Sequence, residues 1–204
     1  TAPNPFADEA KTVHLRAKIG AQVECMYRHV VIIFMACLSL VARAQYNIDK
    51  LLRNGQVALH YEDYVLSIQY FNQIIALKPY LYEPWQYRAV AKFYLDDFTG
   101  AEADISKAIE LNPYIHQFFD LRAITKIRQE RYDEAIADYN RAIKLQPRQQ
   151  SYWFNRAVCL MNEKKYDEAL LQTDTIVQKW ANAANAYSLK AEIYLHQKDT
   201  TQAA

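Results

Sequence analysis

Side chains able to do chemistry by themselves are scattered through this sequence and do not converge. His60, His116 and His196 could act as general bases or metal ligands, yet no His-Glu-x-x-His run and no paired cysteines supply the remaining groups. Gly55 and Gly100 stand isolated, so no glycine-rich loop can cradle a phosphate. The acidic pairs Asp96-Asp97 and Asp133-Glu134 fall in turns or early in helices, where solvation and the positive end of the helix dipole account for them. Lys164-Lys165 reads as turn surface. Cys159, set among apolar residues at helical spacing, reads as a buried and inert thiol. These patterns predict no catalytic residue, no metal site and no cofactor. The chain must then offer a surface, together with the elements that shape it.

The 204 residues leave room for one domain of moderate size or one repeat array. Three Gly is far below the average usage of roughly 7%, and sixteen Tyr is high. With 51% hydrophobic residues, such a chain points to helices packed on helices and an all-α fold. Its 24 Lys+Arg against 23 Asp+Glu removes the strongly basic balance that a nucleic-acid partner would require.

The longest uncharged run, from His29 to Ala42, is about fourteen residues, short of the about twenty that a membrane-spanning helix needs. No integral membrane span is expected. Arg28 before the run and the small-residue ending Ala42-Arg43-Ala44 after it complete the parts of a secretory signal peptide over residues 26–44. Met26 would be the initiator and cleavage would precede Gln45, leaving residues 1–25 as upstream sequence without a fold. The protein is then expected to be exported, in the periplasm or at the outer membrane of a Gram-negative bacterium. The competing reading makes Tyr27 to Ala42 an ordinary buried helix that caps the rest of the chain.

Self-similarity decides the rest. Pro79, Pro113 and Pro147 are spaced by 34 residues. The same offset carries Tyr64 to Phe98, Tyr132 and Tyr166, and Gly55 to Ala89, Ala123, Ala157 and Ala191. It also carries Ser67 to Ala101, Ala135, Ala169 and Ala203, and Ala108 to Ala142. Units therefore begin at Ile48, Tyr82, His116, Gln150 and, incompletely, Ala184, within an array over residues 45–204. Each reads as two amphipathic helices. In the third, Phe119, Arg122, Ala123, Lys126 and Ile127 recur at helical spacing, then Tyr132, Ala135, Ile136, Tyr139, Ala142 and Ile143, with the polar link Arg128-Gln129-Glu130-Arg131 between. The small residues mark where the two helices of a unit cross, since a larger side chain there would overpack at a cost of about 1–3 kcal/mol. Trp85, Phe119, Trp153 and Tyr187 are expected to fill the space between neighbours, and each proline to end a second helix.

From Ile48 to Ala204 the chain resembles the tetratricopeptide repeat family. The family pattern appears most fully in Trp85, Arg88-Ala89, Phe98, Ala101, Ala108 and Pro113, and again in Trp153, Arg156-Ala157, Tyr166 and Ala169. Departures cluster at the ends: Leu51 replaces the aromatic of the first unit, and Thr173, Ile176 and Ala181 replace family residues in the second helix of the fourth. The resemblance implies a right-handed superhelical solenoid of antiparallel helix pairs, with a concave groove lined by the first helices. It implies no activity.

On the family's geometry the groove residues are Gln56 and His60; Gln86, Tyr87, Val90 and Tyr94; Asp120, Leu121, Ile124 and Arg128; and Phe154, Asn155, Val158 and Asn162. That mixture suits an extended peptide or a helix, with apolar anchors and amides that pair backbone groups. Val90, Ile124 and Val158 could equally pack on the neighbouring first helix. The family's chaperone-tail clamp, built from Lys, Asn and further basic residues, is absent: its positions hold Leu52, Arg53 and Gln56, then Gln86, Tyr87 and Val90, then Asp120 and Leu121. The expected function is a non-enzymatic scaffold that holds a protein or peptide partner. The alternative is the repeat arm of a larger envelope enzyme whose catalytic domain lies beyond residue 204. An uncovered last unit would also invite self-association through its apolar face.

Overall fold

The computed structural model describes residues 26–35 and 47–202, and side chains no further than Lys198. The chain divides into two compact units, residues 1–50 and 51–204. In the first, helix α1 covers residues 26–35 and exposes every side chain, Ile32, Ile33 and Phe34 among them. Residues 1–25 and 36–44 of the expected leader lie outside the described residues.

Helix α2 covers residues 47–60. After it come α3 (Tyr64–Leu77), α4 (Tyr82–Tyr94), α5 (Phe98–Leu111), α6 (His116–Ile127), α7 (Tyr132–Leu145), α8 (Gln150–Asn162), α9 (Tyr166–Lys179) and α10 (Ala184–Gln202). The described residues contain no strand. Each helix from α3 onward packs on its sequence neighbours, and first helices also meet, α4 on α6 and α8 on α10. This is the all-α solenoid of antiparallel helix pairs expected from the 34-residue period. The second helices α3, α5, α7 and α9 are all 14 residues long, so the irregular fourth unit forms its second helix like the others.

The small residues sit where the helices cross. Ala89, Ala101, Ala123, Ala135, Ala157 and Ala169 are fully buried, and a Cβ added at Gly55 would come within 2.6 Å of the Phe71 ring. In a close-packed interior that leaves no space for a longer side chain. Trp85 and Trp153 do more than fill space: each indole Nε1 donates to the carbonyl of the preceding proline, Pro79 at 3.0 Å and Pro147 at 3.1 Å. Tyr187, expected to do likewise, is exposed.

Four turns between first and second helices share one geometry. Glu62, Asp96, Glu130 and Lys164, again 34 residues apart, hold φ near +60°. At each, the following amide reaches back to close the helix: Asp63 N to Ala58 O, Asp97 N to Lys92 O, Arg131 N to Lys126 O and Lys165 N to Leu160 O. These are Schellman closures, for which glycine is the usual left-handed residue. Here charged residues fill the position, which helps explain how a solenoid is built with so little glycine. The residue after each then starts the next helix, and Asp63 and Asp97 cap theirs by accepting from Leu66 N at 3.1 Å and Gly100 N at 2.9 Å.

Helix α10 departs from the pattern. The repeat places a turn near Lys198 and Ala203 on a second helix, but α10 continues to Gln202 and Ala203 lies outside the described residues. Ala191, the counterpart of the buried crossing alanines, is exposed.

Buried charge ties the units together. Arg88 forks onto Asp104 at 2.6 and 2.7 Å, and Arg122 onto Asp138 at 2.6 and 3.0 Å, each reaching from a first helix to the second helix of its own unit. Lys92 and Lys126 add a second cation to the same carboxylates at 2.8 Å. The guanidinium of Arg88 also donates to Asn72, and that of Arg122 to Ser106, on the second helix of the preceding unit. In the fourth unit the carboxylate is replaced by Gln172. Arg156 Nε and Gln172 Nε2 are then buried without partners, and burial pulls the Arg156 pKa below its ordinary value. Gln172→Asp should restore the fork and raise stability by about 1–3 kcal/mol, the usual cost of unsatisfied buried groups. Urea unfolding checks this as a higher midpoint at unchanged slope.

Candidate functional site

The first helices α4, α6, α8 and α10 bring the groove residues together in two groups. Between α8 and α10 lies a cavity of about 490 Å³. Phe154, Val158, Met161 and Asn162 line it from α8, and Asn185, Ser188, Leu189 and Glu192 from α10. Phe154 and Val158 also pack on the buried cluster of Ala157, Leu160, Leu189 and Ile193, so the apolar wall is fixed from behind. The Asn162 amide donates to Val158 O at 2.8 Å, leaving its side-chain oxygen as an acceptor at the rim.

The second group joins α6, α7 and α8. Asp120 Oδ1 and the hydroxyl of Tyr139 are buried and face each other without closing a hydrogen bond of normal geometry, and neither has another partner. Burial pushes the Asp120 pKa up to about 6, with the Tyr139 hydroxyl partly offsetting the rise. Burial first, and the Asp120 charge second, hold the Tyr139 pKa well above the ordinary phenol value, against the pull of the neighbouring Asn155 side chain. Tyr152 is pushed up to about 12 by the same burial and donates to or accepts from His116 Nδ1 at 2.7 Å. Burial also drives the Cys159 thiol up to about 12, which keeps it protonated and unreactive.

Other residues placed in the groove by sequence are engaged in packing between units. Tyr87 stacks on Phe71 with ring centres 5.6 Å apart. Tyr94 stacks on Tyr64 at 5.2 Å. Arg128 lies 4.7 Å from the Phe98 ring centre and pairs with Asp96 at 3.1 Å. Leu121 packs on the cluster of Ala89, Ile105, Ala108 and Phe118. His60 meets Tyr61 edge-on, and Gln56 and Gln86 are half-buried. The acidic pairs are partnered as well: Asp97 caps α5, Asp133 pairs with Lys165 and Glu134 with Arg131.

Sequence reasoning missed Met161, Asn185, Ser188, Leu189 and Glu192. The last four repeat the positions of Ser151, Phe154, Asn155 and Val158 one period later, which is the signal that would have found them. Among the described residues, no three or more His, Cys, Asp or Glu side chains gather as a metal site would require. No described helix is long and apolar enough to cross a membrane.

A solenoid of helix pairs with a side-chain-lined inner face is a repeat-scaffold architecture, and comparison places it. Residues 121–179 match the tetratricopeptide repeat family. That segment spans the third and fourth units, and the helix-pair solenoid around it has the fold of solved tetratricopeptide repeat structures. No curated protein matches it. Among solved structures it is similar to YrrB, a TPR protein with an unusual peptide-binding site, at 16% identity and TM-score 0.65 over 72% of this chain and 76% of that one. The first TPR of Spaghetti (RPAP3), bound to the HSP90 peptide SRMEEVD, is similar at 23% identity and TM-score 0.54, over 55% of this chain and 90% of that one. The O-GlcNAc transferase of Thermobaculum terrenum, as a K341M mutant, is similar at 14% identity and TM-score 0.56, over 66% of this chain and 26% of that one.

Asp120 makes the site's stability cost measurable. Its folded pKa is raised, so between about pH 4 and pH 6 the unfolded chain ionises first and folding stability falls as pH rises. Asp120→Asn should abolish that decline and stabilise the fold above pH 6 by about 1–2 kcal/mol, after discounting for the part of the carboxyl that water screens. Thermal melts of both proteins from pH 4 to pH 8 check it.

Proposed function

We propose that this chain is a non-enzymatic scaffold that holds an extended peptide or a helix of a partner protein along the inner faces of α6, α8 and α10. The observation that carries the reading is the cavity between α8 and α10, where Phe154, Val158 and Leu189 offer an apolar anchor site beside the polar Asn162, Asn185, Ser188 and Glu192. An apolar pocket with a polar rim is how a groove takes a side-chain anchor while pairing the backbone beside it. The peptide-binding site of YrrB and the peptide bound to the first TPR of Spaghetti, both similar in fold, are in keeping with it. A photo-crosslinking amino acid at Asn162 should trap a partner from the native host. The same residue at Asn140, exposed on second helix α7, should trap none. Equal trapping at both positions, or loss of none of it on Phe154→Ala, would refute groove binding.

A second reading makes the array one arm of a larger enzyme. The similarity to roughly a quarter of an O-GlcNAc transferase, 26% of that chain, is what favours it. On either reading we propose export through the stretch of residues 26–44. The short apolar run after Arg28 and the small-residue ending Ala42-Arg43-Ala44 support this. Expression from Met26 in a Gram-negative host should yield an envelope product beginning at Gln45, and an uncleaved cytoplasmic product would sink the proposal.

A further inference from the structure

The group around Asp120 has a chemistry that the fold does not use. Asp120 Oδ1 and the hydroxyl of Tyr139, itself fully buried, face each other without closing a hydrogen bond of normal geometry, and neither has another partner. The groups facing Asp120 are the phenol of Tyr139 on α7 and the phenol of Tyr152 on α8. The amide of Asn155 and the thiol of Cys159 on α8 flank Tyr139 behind it. None of these is a cation, and no ion pair to Asp120 forms among the described residues. Elsewhere the array satisfies its buried acids generously: Asp104 and Asp138 each take an arginine fork and a lysine. An acid left unpaired in a chain that pairs its others, and at a cost in folding stability, is a group held for something outside the chain. The next acid along the inner face, Glu192 on α10, forms no ion pair among the described residues either and lines the cavity with Phe154.

Resting on the groove reading above, we infer that Asp120 is the ion-pair partner for a lysine or arginine side chain of the bound segment, with Asn155 and the Tyr139 hydroxyl available to complete its hydrogen bonds. The preferred partner is therefore a basic segment with an apolar residue beside the cation, the apolar residue entering the cavity at Phe154 and Leu189. An ammonium or guanidinium supplies both the charge and the donors that a half-buried carboxylate lacks, and such charge-assisted bonds are the strong ones. An acidic segment would meet two uncompensated carboxylates, Asp120 and Glu192, and is selected against.

A phage-displayed library of random dodecapeptides, panned in parallel on the wild-type protein and on Asp120→Asn, tests this. Wild type should enrich peptides with Lys or Arg adjacent to a large apolar residue, and Asp120→Asn should lose the basic preference. For the best synthetic peptide, Lys→Gln in the peptide and Asp120→Asn in the protein should each weaken binding about tenfold or more, and the two together no further than one alone. The peptide-side change leaves the protein fold untouched, so a folding defect cannot imitate the result. Enriched peptides that lack a basic residue, or whose affinity ignores Asp120→Asn, overturn the inference. If those peptides still need Phe154, the groove reading survives. If the wild-type protein enriches nothing, both fall together.

Discussion

One position per unit holds this array in register: the basic residue at Arg88, Arg122, Arg156 and Lys190. Each lies on a first helix with partners sixteen residues away, and Arg88 and Arg122 have them on both sides. One partner is on the second helix of the same unit and the other on the second helix of the unit before. A planar fork fixes the rotation of the helix it binds as well as its distance. Small residues allow the helices to approach, but apolar contact alone would tolerate some sliding. The forked arginine removes that freedom, and it does so where burial makes a misplaced charge expensive.

The period, the crossing alanines and the prolines were legible in the sequence because each depends on size or backbone geometry, which residue type reports directly. Thr173 and Ile176 show that the pattern can be broken without losing an element: both are fully buried in an α9 as long as its counterparts. The forks were not read, although Arg88, Arg122 and Arg156 obey the same offset. Charged residues on a helix are normally solvated, and only the neighbouring helix shows that these are not. The left-handed turns were missed for a related reason. Glu62, Asp96, Glu130 and Lys164 are the wrong residue types to announce them.

The candidate site was partly legible. Phe154 and Asn162 line the cavity, whereas Tyr87, Tyr94 and Arg128, placed in the groove by the repeat, stack on rings of neighbouring helices. Helix position sets a side chain's direction, but its destination depends on what the next unit presents there. Asp120 could be placed in the groove from sequence. That its Oδ1 is buried beside the Tyr139 hydroxyl of α7 depends on how two helices meet, which no periodicity reveals.

The left-handed turns bear on how such a chain assembles. A non-glycine residue in that conformation costs about 1 kcal/mol or more, so each turn is locally uphill until the helix after it docks. Folding therefore resembles the growth of a one-dimensional polymer more than the closing of independent hairpins. A unit already in place supplies the template, and the next chain segment exchanges a longer helix for a reversal only when it reaches that template. Nucleation of isolated units is penalised and propagation is favoured, which gives a chain with three glycines a sharper folding transition than local propensity would provide.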